Sequence, residues 1–452
     1  MARLDAIFEP RKVVVVGSSR IQERVGMASP ELFKNVVHNL KKFYQGETCV
    51  LDVDENNWCD KLEEMPEPPE LSIIILPPKD SVEQAQKLAR SGVKAFIIIN
   101  GGFRDGQRKQ LVKIKEEYGP RILGPNTIMG VVNTANGLNT TFERDLMPKK
   151  GEIAVISQSG GVGACLLDWA CFYRMGISKF AFMGDKIDVD DVDLLQYYAD
   201  DANTRVICLY MEGVKDGRKF IEKAKQIVRS KPILVLKGGK TEKSAERAMS
   251  HTASIAGSDE IFNAAFRKAG IIRVQDLEEM MNAATALSKQ PPMRGDHVAI
   301  VSNVGGPAIL AADAVTKNDM KLATLSESTK TKIESLYPSI DCANPVDIIA
   351  DAKAERYSTV LELILADRNV DGLLVINMLK SCFFEPEDAK AVAEVSARYP
   401  SKPSVDAAGG REDFSLLYTV LEGTKIPLYD LPEKAVKALE VLREYGRILE
   451  EH

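Results

Sequence analysis

Between the glycine pair Gly238 and Gly239 and the later Gly257 runs KTEKSAERAMSHTASIA, and His251 lies inside it. A neutral imidazole nitrogen can take a phosphoryl group and pass it on, so a histidine on a long mobile loop is a candidate covalent carrier. The residues leading to it, Lys240, Glu242, Lys243, Ser244, Glu246 and Arg247, offer little apolar surface to bury and read as a solvated loop with glycine hinges. About a dozen residues separate Gly239 from His251, so an extended arm could reach ~40 Å. The chain has four histidines, and the other three have no comparable setting. Taken alone, His251 reads more readily as an ordinary surface histidine, so its neighbours have to decide.

Those neighbours are a strand–turn–helix pattern that restarts near Gly151. EIAVISQSGGVGACLLDWA closes a strand with Ser157 and opens a helix at Ser159, Gly160 and Gly161. Small residues there leave the first backbone N–H groups of the helix uncovered, which makes a cradle for phosphate. The next apolar run, RVICLYMEG, ends in Glu212, and the one after, KPILVLKGG, leads into the histidine loop. In a parallel sheet such strand ends are neighbours, so Glu212 is placed to hold the second ring nitrogen of His251 and fix its tautomer. A plain surface glutamate is the alternative.

The first part of the chain has the same grammar. VVVVG (13–17) predicts a buried parallel strand, followed by Ser18, Ser19 and a helical pattern from Pro30 through Leu40. The dinucleotide fingerprint GxGxxG is incomplete, because Ser19 stands where a second glycine belongs and Gly26 comes too late. A nicotinamide cofactor is therefore disfavoured, although Asp52 and Asp54 could mimic the ribose-binding acid. Further strand ends follow at Leu76, Pro77 and Pro78 and at Asn100, Gly101 and Gly102, before RILGPN (Arg121–Asn126) closes the segment. The carboxyl ends of such strands line one crevice, where a ligand should lie.

After SKQPPMRGD (Ser288–Asp296), read as a linker, an internal copy begins. IAVISQSGGVGA at Ile153 matches VAIVSNVGGPAI at Val298, and SKPILVLKGGK at Ser230 matches SKPSVDAAGGR at Ser401. The copy has no histidine after Gly410 and no acid at the end of DGLLVINML. A loop histidine and a strand-end glutamate present together in one half and absent together from the other suggest that they work as a pair. The 452 residues, formal charge of -6 and 45% hydrophobic content suit a soluble, cytoplasmic protein of about three domains. They point away from general nucleic-acid binding and from membrane spans. The seven cysteines lack CxxC spacing, so neither a metal site nor a disulfide framework is expected.

The chain resembles the α subunit of the nucleoside-diphosphate-forming acyl-CoA synthetases of the acetate–CoA ligase (ADP-forming) type, which are similar to succinyl-CoA synthetases. The likeness runs nearly end to end, through VVVVGSSR, LGPN, ISQSGGVG, GDKIDVDDVDLL, LYMEGVKDGRKF, SHTASIAGSD, VSNVGGPAILAADA, NPVDI and IPLYDLPEKAVKAL. It implies an α/β protein: a CoA-binding Rossmann-like domain over 1–128 and two flavodoxin-like, CoA-ligase-like domains over 129–288 and 295–452. It implies phosphorylation of His251, assistance from Glu212, and phosphate held at Ser159, Gly160 and Gly161. CoA would lie on the first domain at Gly17, Ser18, Ser19, Leu76, Pro77, Pro78, Asn100, Gly101, Gly102 and Asn126. The family also needs an ATP-grasp module, which no stretch here matches. A β subunit carrying ADP or ATP and Mg is therefore expected as partner, and no residue of this chain is assigned to a metal.

Three positions depart from the family pattern, Asp185 for Asn, Ala253 for Gly and Thr127 for Cys. Asp185 would repel a nearby phosphate, and Ala253 stiffens the loop. None removes a group that the reaction needs. The alternative reading is a non-catalytic CoA-binding or regulatory protein that keeps the scaffold.

Overall fold

The structure, a computed structural model, describes residues 4–20, 29–54, 67–241, 243–244, 259–379 and 385–451. The chain forms two compact units, Met1–Leu277 and Glu278–His452.

The first unit holds two sheets. One comprises β1 (Lys12–Gly17), β2 (Glu47–Asp52), β3 (Leu71–Ile75), β4 (Ala95–Ile98) and β5 (Arg121–Leu123), all parallel, in the order β2-β1-β3-β4-β5. Runs of Val and Ile suit strands covered on both faces, and Val13–Val16 and Ile73–Ile75 are fully buried. The helix Pro30–Phe43 starts where sequence chemistry says it should. Ser29 is extended, its hydroxyl accepts from the Leu32 N–H at 3.1 Å, and Pro30 occupies the first helical position.

The second sheet comprises β6 (Val131–Asn133), β7 (Leu138–Asn139), β8 (Lys149–Ser157), β9 (Gly176–Phe182), β10 (Val206–Met211), β11 (Ile233–Lys237) and β12 (Ile272–Val274). Its order is β12-β11-β10-β8-β9-β6-β7. β8 to β12 are parallel, and the hairpin β6–β7 is added antiparallel along β9.

The second unit holds β13 (His297–Ser302), β14 (Lys321–Leu322), β15 (Val346–Asp347), β16 (Gly372–Asn377), β17 (Ser404–Ala408) and β18 (Leu428–Tyr429), in the order β14-β13-β16-β17-β18 with β15 also on β13. Val301, Val346, Tyr357, Val375 and Leu417 lie in its core. Ser288–Asp296 runs packed against this unit. Met293 is buried, its N–H donates to the Leu442 carbonyl at 3.0 Å, and the Gln290 amide reaches Ser404 N and Lys425 O.

Counted by their own parallel strands, the first two sheets wind 2-1-3-4-5, and the third does so once the short β15, off its main path, is set aside. The strand order then reverses between β1 and β3, between β8 and β10, and between β13 and β16. In open parallel sheets the crevice at the carboxyl ends of that reversal is where ligands bind.

Candidate active site

At the reversal of the second sheet, Tyr210 lies in register with Ser157, and Met211 with Lys237. The ends of β8, β10 and β11 therefore stand side by side, as expected of the strands that lead to Ser159, Glu212 and the histidine loop. A cleft of about 740 Å³ opens there. Its walls include Ser159, Gly160 and Glu212, together with Asn126 from the turn after β5.

Ser159 has extended backbone and caps the helix Gly160–Phe172, its hydroxyl accepting from Val162 N at 3.4 Å. The Ser157 hydroxyl donates to the Ser159 carbonyl at 2.7 Å and accepts from the Ser159 N–H at 3.2 Å, which fixes the turn. A Cβ added at Gly161 would meet nothing within 4 Å among the described residues, so they leave open space over the backbone of the second residue of this helix. The first N–H groups of a helix have no partner within it; here Val162 N and Gly163 N are taken up by Ser159, and Gly160 lines the cleft.

Glu212 follows directly on β10 and is half-buried. Its N–H donates to Gln158 Oε1 at 2.8 Å, and its Oε1 accepts from the Tyr210 hydroxyl at 3.3 Å. Burial first, and then Glu212 itself, push the Tyr210 phenol up to about 12, so at neutral pH it is a donor. The same hydroxyl stands 2.5 Å from where a Cβ at Gly238 would be, so any larger residue at the base of the histidine loop would push the Tyr210 ring aside. The Gly238 N–H also donates to the Met211 carbonyl at 2.8 Å, so the loop departs from beside the glutamate. His251 and Ala253 lie outside the described residues.

Asp185 is on the cleft wall, but not as a bare charge. Arg108, from the helix Asp105–Tyr118, pairs with it at 2.8 Å, and Asn126 Nδ2 donates to its other oxygen at 3.2 Å. Below them Lys186 forms a buried ion pair with Asp191 at 3.1 Å. Lys215 donates to the Lys186 carbonyl, and burial, followed by the Lys186 charge, holds its ammonium below the ordinary lysine value. Thr127 is buried with its hydroxyl on the Phe182 carbonyl.

The candidate CoA residues end adjacent strands of the first sheet. Gly17 ends β1, and Ser18 and Ser19 follow it; Leu76, Pro77 and Pro78 follow β3; Asn100, Gly101 and Gly102 follow β4. Asn100 is buried and donates to the Leu76 carbonyl at 2.8 Å, while its own carbonyl accepts from Asn126 N at 2.7 Å. Asn126 thus ties this row to the cleft of the second sheet. Asp52 and Asp54 turn to the first loop, where Ser19 N donates to Asp52 at 3.3 Å and Arg20 N to Asp54 at 3.0 Å. Burial raises the Asp52 carboxyl, but hydrogen bonds from Ser19 and Asp54 outweigh it and leave it below the ordinary carboxylate value.

Reading the chain alone passed over Gln158, Tyr210, Arg108, Lys186 and Lys215. Gln158 sits inside the quoted ISQSGG and Lys186 inside GDKIDVDDVDLL. A polar residue buried at the end of an apolar strand was the available signal for Gln158.

The family model of a CoA binding domain matches residues 11–133, and that of a succinyl-CoA ligase like flavodoxin domain matches 150–287. The chain is 37% identical to the acetate–CoA ligase (ADP-forming) II subunit alpha of Pyrococcus furiosus, over 98% of each chain. It is 34% identical to subunit alpha of isoenzyme I from the same organism, over 99% of each. A solved dinucleotide-forming acetyl-coenzyme A synthetase 1 of Ca. Korarchaeum cryptofilum, in complex with phosphate and ADP, superposes with a TM-score of 0.88 at 30% identity, covering 100% of this chain and 98% of the other. Fold, strand-end chemistry and end-to-end likeness agree: the chain belongs to the ADP-forming acetate–CoA ligase family, among its α subunits.

Proposed function

We propose that this chain catalyses the acyl-transfer half of acyl-CoA + ADP + phosphate ⇌ carboxylic acid + CoA + ATP. A phosphate oxygen attacks the thioester carbonyl and the CoA thiolate leaves, giving acyl phosphate. His251 then takes the phosphoryl group and releases the carboxylate, and the phosphohistidine gives that group to ADP. Ser159, Gly160 and Gly161 hold the phosphate with backbone N–H groups, and Glu212 orients the imidazole. The observation that carries this reading is the cleft in which Ser159, Gly160 and Glu212 converge, beside the departure point of the loop that bears His251.

Three domains, 1–128, 129–288 and 295–452, are supported by one sheet of the same winding in each. CoA lies across Gly17–Ser19, Leu76–Pro78 and Asn100–Gly102, at the reversal of the first sheet, with Asn126 at its edge. ADP or ATP with Mg belongs to an ATP-grasp β subunit, and the α-subunit names of the relatives support such a partner. Among the described residues no helix is long and apolar enough to cross a membrane. The cytoplasm, which supplies ADP, phosphate and CoA, is the compartment that fits this reaction.

The test is phosphoryl labelling of the complex with partner, Mg and labelled ATP. An acid-labile, alkali-stable label should appear, disappear in His251→Ala, and form slowly in Glu212→Gln with CoA binding intact. Label retained by His251→Ala would sink the carrier assignment. Steady ATP synthesis by this chain without a partner would sink the two-subunit reading.

A further inference from the structure

We propose that Gln158 is a positioning residue for the phosphoryl-transfer step, clamping the backbone of Glu212 across the sheet reversal so that its carboxylate keeps one placement relative to Ser159. This rests on the role assigned to Glu212 above.

Gln158 is the first residue beyond β8 and is 8% exposed. Its Oε1 accepts from Glu212 N at 2.8 Å and from Gly213 N at 3.1 Å. Its Nε2 donates to Asp191 Oδ1 at 2.5 Å and to the Gly213 carbonyl at 2.8 Å. Both donors and both lone pairs of the amide are therefore used, and the partners leave no choice of orientation, since two N–H groups require the oxygen on one side while a carboxylate and a carbonyl require the nitrogen on the other. The Asp191 carboxylate is kept in place by Lys186, whose Nζ also comes within 3.5 Å of the Gly213 carbonyl. Apart from the part-buried bond to Glu212 N the network is buried, where an unmade bond costs most.

The internal copy separates scaffold from chemistry. Asn303, the counterpart of Gln158, also spans the reversal of the third sheet, but onto one residue, Oδ1 accepting from Met378 N at 3.0 Å and Nδ2 donating to the Met378 carbonyl at 3.1 Å. The Ser302 hydroxyl repeats the Ser157 bond, donating to the Val304 carbonyl at 2.8 Å. Both halves thus tie the two central strands with an amide. In the first half the tied residue is Glu212 and the tie is made on its own N–H, so a shift of the clamp moves the carboxylate.

The experiment uses the full complex with its partner and reads the single-turnover rate of histidine labelling from acyl-CoA and labelled phosphate, and the phosphate KM, in Gln158→Ala, Glu212→Gln and the double variant. Displacement of a reacting group by an ångström costs up to about a hundredfold in rate. Gln158→Ala should therefore label roughly ten- to a hundredfold more slowly with the phosphate KM changed less than about threefold. The double variant should be within about threefold of the slower single one, because the clamp acts through the glutamate.

A rate unchanged by Gln158→Ala, or a double variant showing the product of both losses, overturns the proposal while leaving Glu212 in its role. A wild-type rate in Glu212→Gln overturns the role of Glu212 and the proposal with it. Should the alanine variant not fold, Gln158→Glu is compared with Gln158→Glu combined with Asp191→Asn, which restores a donor opposite the new carboxylate and preserves the net charge beside Lys186. The combined variant should label at least about tenfold faster than Gln158→Glu alone, and equal rates overturn the proposal.

Discussion

The Arg108 guanidinium donates twice to one oxygen of Asp185, from Nε at 3.0 Å and from Nη2 at 2.8 Å. This pair answers the charge that a carboxylate would otherwise present to phosphate, and it joins a helix flanking the first sheet to the end of β9 in the second.

Arg108→Ala should leave the charge of Asp185 facing the cleft without its cation and raise the phosphate KM about fivefold, the effect of a partly solvated unit charge on the order of 1 kcal/mol. Adding Asp185→Asn should return the KM to within about threefold of wild type. Steady-state kinetics against phosphate at low and high salt check both, and a loss that Asp185→Asn leaves uncorrected would rule out charge compensation.

Gly161→Ala separates stability from ligand contact. The new methyl meets no atom of the described residues within 4 Å, and replacing a helical glycine should stabilise the fold by about 0.5–1 kcal/mol. The same methyl should intrude where phosphate meets the backbone, raising the phosphate KM at least about tenfold. A higher melting temperature with an unchanged KM would remove Gly161 from the phosphate cradle.

Tyr210→Phe removes the donor to Glu212 and should slow labelling about tenfold at pH 7. Its second signature is at alkaline pH. The native phenol titrates at about 12, above the unfolded value near 10, so between those values the native state binds more protons than the unfolded one. The stabilisation is fully present below pH 10 and is lost as pH rises toward 12. Urea unfolding from pH 9 to 11.5 should show a shallower decline in Tyr210→Phe than in wild type, and parallel declines would contradict the assignment.

Asp54→Asn takes a negative charge from the loop after β1, where Asp54 accepts from the Ser18 hydroxyl at 2.5 Å and from Arg20 N. The amide oxygen can still accept. Calorimetry on the full chain should show CoA binding severalfold tighter, and an unchanged affinity would place the charge of Asp54 outside the CoA crevice.

The strands and the glycine-led helix starts were legible because buried parallel strands are written as unbroken apolar runs. Glu212 was legible because it ends such a run, and the duplication because its two copies align. Gln158, Arg108 and Lys215 were not. Gln158 contacts a residue 54 positions away, and that partner is defined only once β8 and β10 are known to be adjacent. Arg108 lies among Gln107, Lys109 and Gln110 on a helix that reads as solvated, so nothing local marks the position that meets Asp185. The hairpin β6–β7 was also missed, since strands of three and two residues carry no periodic signal.

The amide tie between Asn303 and Met378 has an evolutionary corollary. Shaping a main chain across a crossover takes many residues acting together, whereas the side chain it displays can be exchanged one at a time. The second half of this protein already owns an amide-tied main chain and the glycine pair, so Met378→Glu would mount a carboxylate on a backbone whose N–H is tied, as that of Glu212 is, by an amide oxygen. Acquisition or loss of an acid in such a repeat is then a single-codon event, and a doubled fold can keep one half as a reserve of form without chemistry.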